Sequence, residues 1–165
     1  MNKDEKKPVK ILFVCLGNIC RSPAAEGVMQ QLIEDRGLQG QIEVDSAGLG
    51  NWHVGDLPDR RMRSHAAMRG LNLTHRARQV RPSDFCDFDL IIGMDDENVR
   101  ALRRMAPTPE ARAKVKLMTD YSTIRPRPST VPDPYYGDSR AFDYALDLIE
   151  DACSALLPNV LKKYT

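Results

Sequence analysis

The sequence predicts an α/β fold built around a parallel sheet. Three observations carry this. Short apolar runs alternate with segments of helical period along the chain. The first run, ILFV at residues 11–14, is continuously apolar, as in a strand covered on both faces. A cysteine, an arginine and a Ser-Pro pair sit at the junction with the next helix, and right-handed crossovers gather such junctions on one sheet edge, where these folds bind ligands.

After the strand at 11–14, Ser22 and Pro23 read as N-cap and first helical residue. Ala25, Val28, Met29 and Leu32 recur at helical spacing, and Gly37 suits the stop. Residues 41–45 form a second strand. Residues 58–69, closed by Gly70, form a second helix with a weak apolar face. Residues 89–93 are a third strand. Asp95 caps a helix in which Val99, Leu102 and Met105 or Ala106 share a face. Its acids (Asp96, Glu97) come first and its arginines (Arg100, Arg103, Arg104) last, matching the helix dipole. Residues 114–117 are a fourth strand, and the proline-rich stretch 121–138 is a loop. Residues 139–157 form the last helix, with Phe142, Ala145, Leu146, Ile149, Cys153 and Leu156 on one face; Pro158 ends or kinks it. Residues 1–8 are expected to be a flexible tail and 9–165 one domain.

Composition narrows the function. The chain has 165 residues, 42% hydrophobic, with a net charge of +1, so no global field draws it to nucleic acid or membrane. No apolar run approaches the roughly 20 residues of a membrane span. The charged start MNKDEKKPVK precedes too short an apolar run for a signal peptide, so a cytoplasmic protein is expected. Four cysteines (Cys15, Cys20, Cys86, Cys153) in this length do not suggest a disulfide scaffold.

The chemistry is expected at CLGNICRSP, residues 15–23. A strand–loop–helix junction points backbone N–H groups at one place and adds the positive end of a helix dipole, which suits phosphate. The lysine and second glycine of a nucleotide-hydrolase loop are missing, and Gly48-Leu49-Gly50 lacks the rest of a dinucleotide fingerprint. Instead Cys15 stands six residues before Arg21-Ser22. A thiol at a helix N-terminus beside a guanidinium is favoured as thiolate. Arg21 can hold two phosphate oxygens at once. Ser22 can donate to the sulfur and help it leave. The plainer reading makes Cys15 a small buried residue and Arg21 a surface charge, but the coincidence of three features favours displacement at phosphorus through a phosphocysteine. Zinc fits poorly: Cys15 and Cys20 lack zinc-ligand spacing, and His53, His65 and His75 form no His-Glu-x-x-His pattern. A general acid is also needed. Asp133, in VPDPYY at 131–136, lies between prolines that stiffen the backbone and before two tyrosines; a mere rigid turn is the competing reading, and the residues alone leave that choice open.

FVCLGNICRSP near the start and DPYYGD near the end resemble the low-molecular-weight protein tyrosine phosphatases. So do, in order, Asp45-Ser46-Ala47-Gly48, Trp52-His53-x-Gly55, Pro58-Asp59, His75-Arg76-Ala77-Arg78, and Met94-Asp95 with Asn98. The likeness spans about residues 9–161. It implies a three-layer sandwich, with a four-stranded parallel sheet of order 2-1-3-4 and helices on both faces. It implies hydrolysis of phosphotyrosine and small aryl phosphates without metal or cofactor, since Arg21 and the loop dipoles stabilise the charge. In that likeness Cys15 is the nucleophile, Arg21 binds phosphate and transition state, and Asp133 is acid, then base. Backbone N–H groups of Leu16, Gly17, Asn18, Ile19, Cys20 and Arg21 cradle the phosphoryl oxygens, with Ser22 beside the sulfur. Asn18 takes a left-handed conformation tied to Ser46 and His75, and Asp95 orients His75. Trp52 and Tyr135, with Tyr136, hold the aryl ring. Cys20 either packs under the loop or traps oxidised Cys15 as a disulfide, as the family does.

The implied partners are phosphotyrosine-containing proteins and small phosphate or sulfate anions, not nucleic acid or membrane, for a monomer or weak dimer. Two rivals share the resemblance. A thiol-dependent arsenate reductase needs a downstream cysteine relay, which Cys86 and Cys153 do not obviously form. A protein-arginine phosphatase carries threonine where this chain has Ile19. A binding module without turnover is disfavoured because Cys15, Arg21 and Asp133 are all present. The arginines at positions 60, 61, 63, 69, 76, 78 and 81 read as solvated surface, with steering of acidic substrates as the minority reading.

Overall fold

A computed structural model describes residues 7–164, so most of the expected tail, residues 1–6, lies outside the described residues. Four strands form one sheet: β1 (Val9–Cys15), β2 (Ile42–Gly48), β3 (Leu90–Gly93) and β4 (Val115–Leu117). Their order is β2-β1-β3-β4 and every pairing is parallel, as expected. The register places Ala47, Val14, Gly93 and Leu117 in one row, so all four strands deliver their C-terminal ends to the same edge. The helices are α1 (Arg21–Asp35), α2 (Arg60–Ala67), α3 (Asp84–Asp87), α4 (Asp96–Met105), α5 (Pro109–Ala113) and α6 (Ser139–Tyr164).

The apolar run of β1 divides between two cores because successive side chains point to opposite faces. Ile11 and Phe13 enter the layer under α1 and α6, while Leu12 and Val14 enter the layer under α3, α4 and α5. All four are fully buried, each contributing roughly 1.5–3 kcal/mol of burial free energy. Both faces are therefore covered, and β1 needs no polar side.

Several boundaries depart from expectation. Ser22 is not the N-cap of α1; Cys20 is, without a side-chain capping bond, and Pro23 is the third helical residue. The serine hydroxyl is fully buried and engaged at the site instead. β2 runs on to Gly48, because buried Ser46 finds side-chain partners that make its burial affordable. α2 begins only at Arg60, where Asp59 caps the Arg61 N–H at 2.8 Å. α3 and α5 were not foreseen. For α5 the signal exists in Thr108-Pro109-Glu110: the threonine accepts from the Ala111 N–H at 3.0 Å and proline opens the helix. α6 continues through Pro158 to Tyr164. Pro158 is exposed while Leu156, Leu157 and Val160 around it are buried, so packing outweighs the lost helical bond.

Candidate active site

β1 ends at Cys15 and α1 starts at Arg21, so the intervening loop sits on the functional sheet edge. It is tied down by its neighbour after β2, where the N–H groups of Leu49 and Gly50 donate to the Cys15 and Leu16 carbonyls at 3.0 and 2.9 Å. Gly48 permits this approach: a Cβ there would meet the Gly17 carbonyl carbon at 3.0 Å.

At the loop's turning point Asn18 adopts φ 58°, the left-handed conformation expected of it. Its side chain is fully buried and makes four hydrogen bonds. The amide nitrogen donates to Ser22 Oγ at 2.7 Å and Ser46 Oγ at 3.0 Å. The amide oxygen accepts from His75 Nε2 at 3.1 Å and the Arg78 N–H at 3.0 Å. The Ser22 oxygen thus already accepts, and its own hydrogen can go to Cys15 Sγ, 3.0 Å away, or to the more distant Ala47 carbonyl at 3.4 Å. That hydroxyl suits a thiolate.

The network continues outward. Ser46 Oγ, accepting from Asn18, donates to Glu26 Oε1 at 2.7 Å. His75 Nδ1 lies 3.2 Å from Glu26 and 3.4 Å from Asp45. Burial pushes the Glu26 carboxyl up to about 7 and holds the His75 imidazole below its ordinary value. Asp45 does not add a free charge, since the Arg78 guanidinium binds it at 3.0 Å and buried Asp84 at 3.1 Å. The ligand atoms of Glu26, Asp45 and His75 fall within 4.8 Å of one another, as a metal would require. The guanidinium beside them already supplies a cation.

Arg21 is 2% exposed. Its Nη1 donates to Asp95 Oδ2 at 2.7 Å and to the Val131 carbonyl at 3.0 Å. Its Nη2 lies 3.7 Å from Asp133 Oδ2. Its Nε is buried with no hydrogen-bond partner. Burial opposes the guanidinium charge, but Cys15, Asp95 and Asp133 around it hold its pKa above the ordinary value. A buried N–H without an acceptor is costly, and this one belongs to a cation lining a cavity.

That cavity, of about 320 Å³, is lined by Cys15, Leu16, Arg21, Trp52, Asp133 and Tyr135, among others. Ile19, Gly17, Cys20 and Tyr136 also border it. Sulfur, guanidinium, carboxylate and two aromatic side chains therefore line one cavity. Tyr136 stands at the rim, 94% exposed, with its ring edge-on to Tyr135 at 4.9 Å.

One expected contact is wrong. Asp95 orients Arg21, not His75. It follows β3 and caps α4 through the Asn98 N–H at 2.8 Å, whereas His75 meets the loop from the β2 side of β1. Glu26 and Asp45 hold the histidine instead. Sequence reasoning assigned no site role to Glu26, Asp45, Asp59, Arg61 and Arg78. Asp45, Asp59 and Arg78 stand within the motifs that carry the resemblance, and Glu26 is an acid at the positive end of α1; Arg61 read as surface.

The profile of the family described as low molecular weight phosphotyrosine protein phosphatase matches residues 10–165. The chain belongs to that family. A Synechocystis relative named for the same family is 48% identical over 155 residues, covering 94% of this phosphatase and 98% of its own length. A protein tyrosine phosphatase from Entamoeba histolytica, solved with Hepes in its active site, superimposes with a TM-score of 0.90 at 40% identity, over 95% of this chain and 99% of that one. A Drosophila arginine phosphatase superimposes with a TM-score of 0.86 at 36% identity, over 95% of this chain and 100% of that one.

Proposed function

We propose that this phosphatase hydrolyses phosphotyrosine in proteins, and small aryl phosphates, by two displacements at phosphorus. The phosphoryl oxygens bind the loop N–H groups and the Nε and Nη2 edge of Arg21. The Cys15 thiolate attacks phosphorus, the P–O bond to the phenol breaks, and Asp133 gives its proton to the departing oxygen. Water then attacks the phosphocysteine, Asp133 takes its proton, and the P–S bond breaks. The thiolate leaves toward the Ser22 hydroxyl. Trp52 and Tyr135 hold the aryl ring.

The observation that carries this reading is the orphaned Nε of Arg21 in the cavity that holds Cys15. An oxyanion above the sulfur satisfies it and completes a bidentate grip. Cys20 does not compete as nucleophile: burial, and next the nearby Asp59 charge, push its thiol pKa up. Trapping of oxidised Cys15 by Cys20 is compatible with both lining the cavity. No described helix is long and apolar enough to cross a membrane.

The likeness to an arginine phosphatase makes phosphoarginine the competing substrate. The apolar Ile19 at the cavity favours an aryl ester. Arsenate reduction finds no support, because Cys86 lies on α3 and Cys153 is buried against α1, both outside the cavity lining.

Acid quenching during turnover of p-nitrophenyl phosphate, without metal, should capture phosphate on Cys15. Cys15→Ser should bind phosphotyrosine peptide without turnover. Turnover by Cys15→Ser, or faster hydrolysis of phosphoarginine than phosphotyrosine peptide, refutes the reading.

A further inference from the structure

The segment carrying Asp133 has few holds on the rest of the molecule. Val131 is anchored by its N–H to the Met94 carbonyl at 3.0 Å and by its carbonyl to Arg21. From Pro132 to Asp138 the backbone has no regular structure. Two of its hydrogen bonds are internal: the Tyr135 N–H to Asp133 Oδ1 at 3.1 Å, and the Gly137 N–H to the Pro134 carbonyl at 2.8 Å. Among the described residues before α6, the one hydrogen bond reaching it from elsewhere comes from Arg61, whose Nη2 donates to the Tyr135 carbonyl at 2.9 Å. Its other charged contacts are Arg21 with Asp133 at 3.7 Å and, from the first turn of α6, Arg140 with Asp138 at 3.9 Å.

Arg61 is itself held from three sides. Asp59 takes its Nε at 3.1 Å and Nη2 at 3.0 Å in a bidentate pair. Its guanidinium lies over the Phe142 ring at 4.7 Å and the Tyr135 ring at 5.4 Å. The Asp59 N–H donates to the Ile19 carbonyl of the phosphate loop at 2.7 Å. A continuous chain, Ile19–Asp59–Arg61–Tyr135, thus spans from the loop bearing the sulfur to the segment bearing the carboxyl.

We propose that Arg61 is a positioning residue that fixes the distance of Asp133 from the phosphate loop, so that proton transfer to the leaving oxygen depends on it. The proposal rests on Asp133 being the general acid. Arg61 touches no reacting atom; it acts through the Tyr135 carbonyl, two residues from Asp133. Loss of the bridge leaves the nucleophile and phosphate grip in place and frees the acid.

The test compares two esters on the intact protein. Phenyl phosphate needs a proton on its leaving oxygen far more than p-nitrophenyl phosphate does. Misplacing a catalytic group by an ångström costs up to about a hundredfold. Arg61→Ala should therefore lower kcat/KM for phenyl phosphate by about tenfold more than for p-nitrophenyl phosphate. Arg61→Lys, which can still donate to the carbonyl but cannot bridge Asp59, should recover part of it. Arg61→Gln gives the same comparison should the alanine variant fold poorly. In an Asp133→Ala background, Arg61→Ala should add no further loss on phenyl phosphate. Equal losses on both esters, or a loss that persists without Asp133, overturns the proposal. Failure of the underlying reading looks different: Asp133→Ala alone, with Arg61 intact, would then lose equally on both esters.

Discussion

Replacing Asn18 is the sharpest test of how the loop is built. Its side chain holds Ser22, Ser46, His75 and the Arg78 backbone in place, all within an interior where Asn18 itself has no exposed surface. Asn18→Ala removes four hydrogen bonds at about 1 kcal/mol each. Alanine keeps the Cβ that asparagine already carries at φ 58°, a penalty of about 1–2 kcal/mol common to both. The expected loss is therefore about 4 kcal/mol, from the hydrogen bonds alone, against a total stability of roughly 5–15 kcal/mol. Asn18→Gly loses the same bonds and escapes the Cβ penalty, but pays about 0.5–1 kcal/mol in added unfolded-chain freedom. Glycine should therefore be the better variant by about 0.5–1 kcal/mol. Equilibrium urea unfolding at constant slope measures both. A loss below about 1.5 kcal/mol for alanine, or a glycine variant no more stable than alanine, would refute the strained, side-chain-held loop.

Two further outcomes follow from the geometry. Glu26 sits at about 7 in the folded protein against 4.5 for a free carboxyl, so the native state keeps a proton that the unfolded chain releases. Its contribution is complete below about 4.5 and lost as pH rises through about 7. Glu26→Gln removes that loss, so its stability relative to wild type should rise between pH 5 and 8, by up to about 3 kcal/mol. A constant difference across that range would contradict the assignment. Pro158→Ala restores a helical hydrogen bond at an exposed position within α6 and should stabilise by about 1–3 kcal/mol in urea. An unchanged midpoint would mean that the helix has already adapted to the proline.

The elements most legible in the sequence are those whose local chemistry is self-sufficient. β1 reads from its unbroken apolar run, α4 from its cap and charge order, α6 from its apolar face. The sulfur, the arginine and the carboxyl read from motifs that place the first two at a strand end and a helix start and the third on a loop. What escaped is set by contacts between distant segments. Ser22 looks like a cap because serine before proline does so locally, yet Asn18 and Cys15 claim its hydroxyl. Asp95 and His75 both belong to the site, but only the strand order shows that they stand on opposite sides of β1. Arg61 looks like one of many surface arginines until Asp59, Phe142 and Tyr135 are seen around it. Pro158 breaks helices in isolation, whereas here the buried leucines beside it decide.

The division of β1 between two cores has a consequence for how the molecule breathes. The leaf formed by α1 and α6 is the sturdier one, with long helices and Phe13, Met29 and Phe142 at its heart. The opposite leaf rests on shorter helices and a smaller apolar layer. Cys15 and Arg21 are mounted on the sturdy side, but the carboxylate that steadies the guanidinium, Asp95, is carried at the tip of the light one. A partial opening that lifts α4 alone would therefore unlatch the arginine while leaving the sulfur's cradle closed.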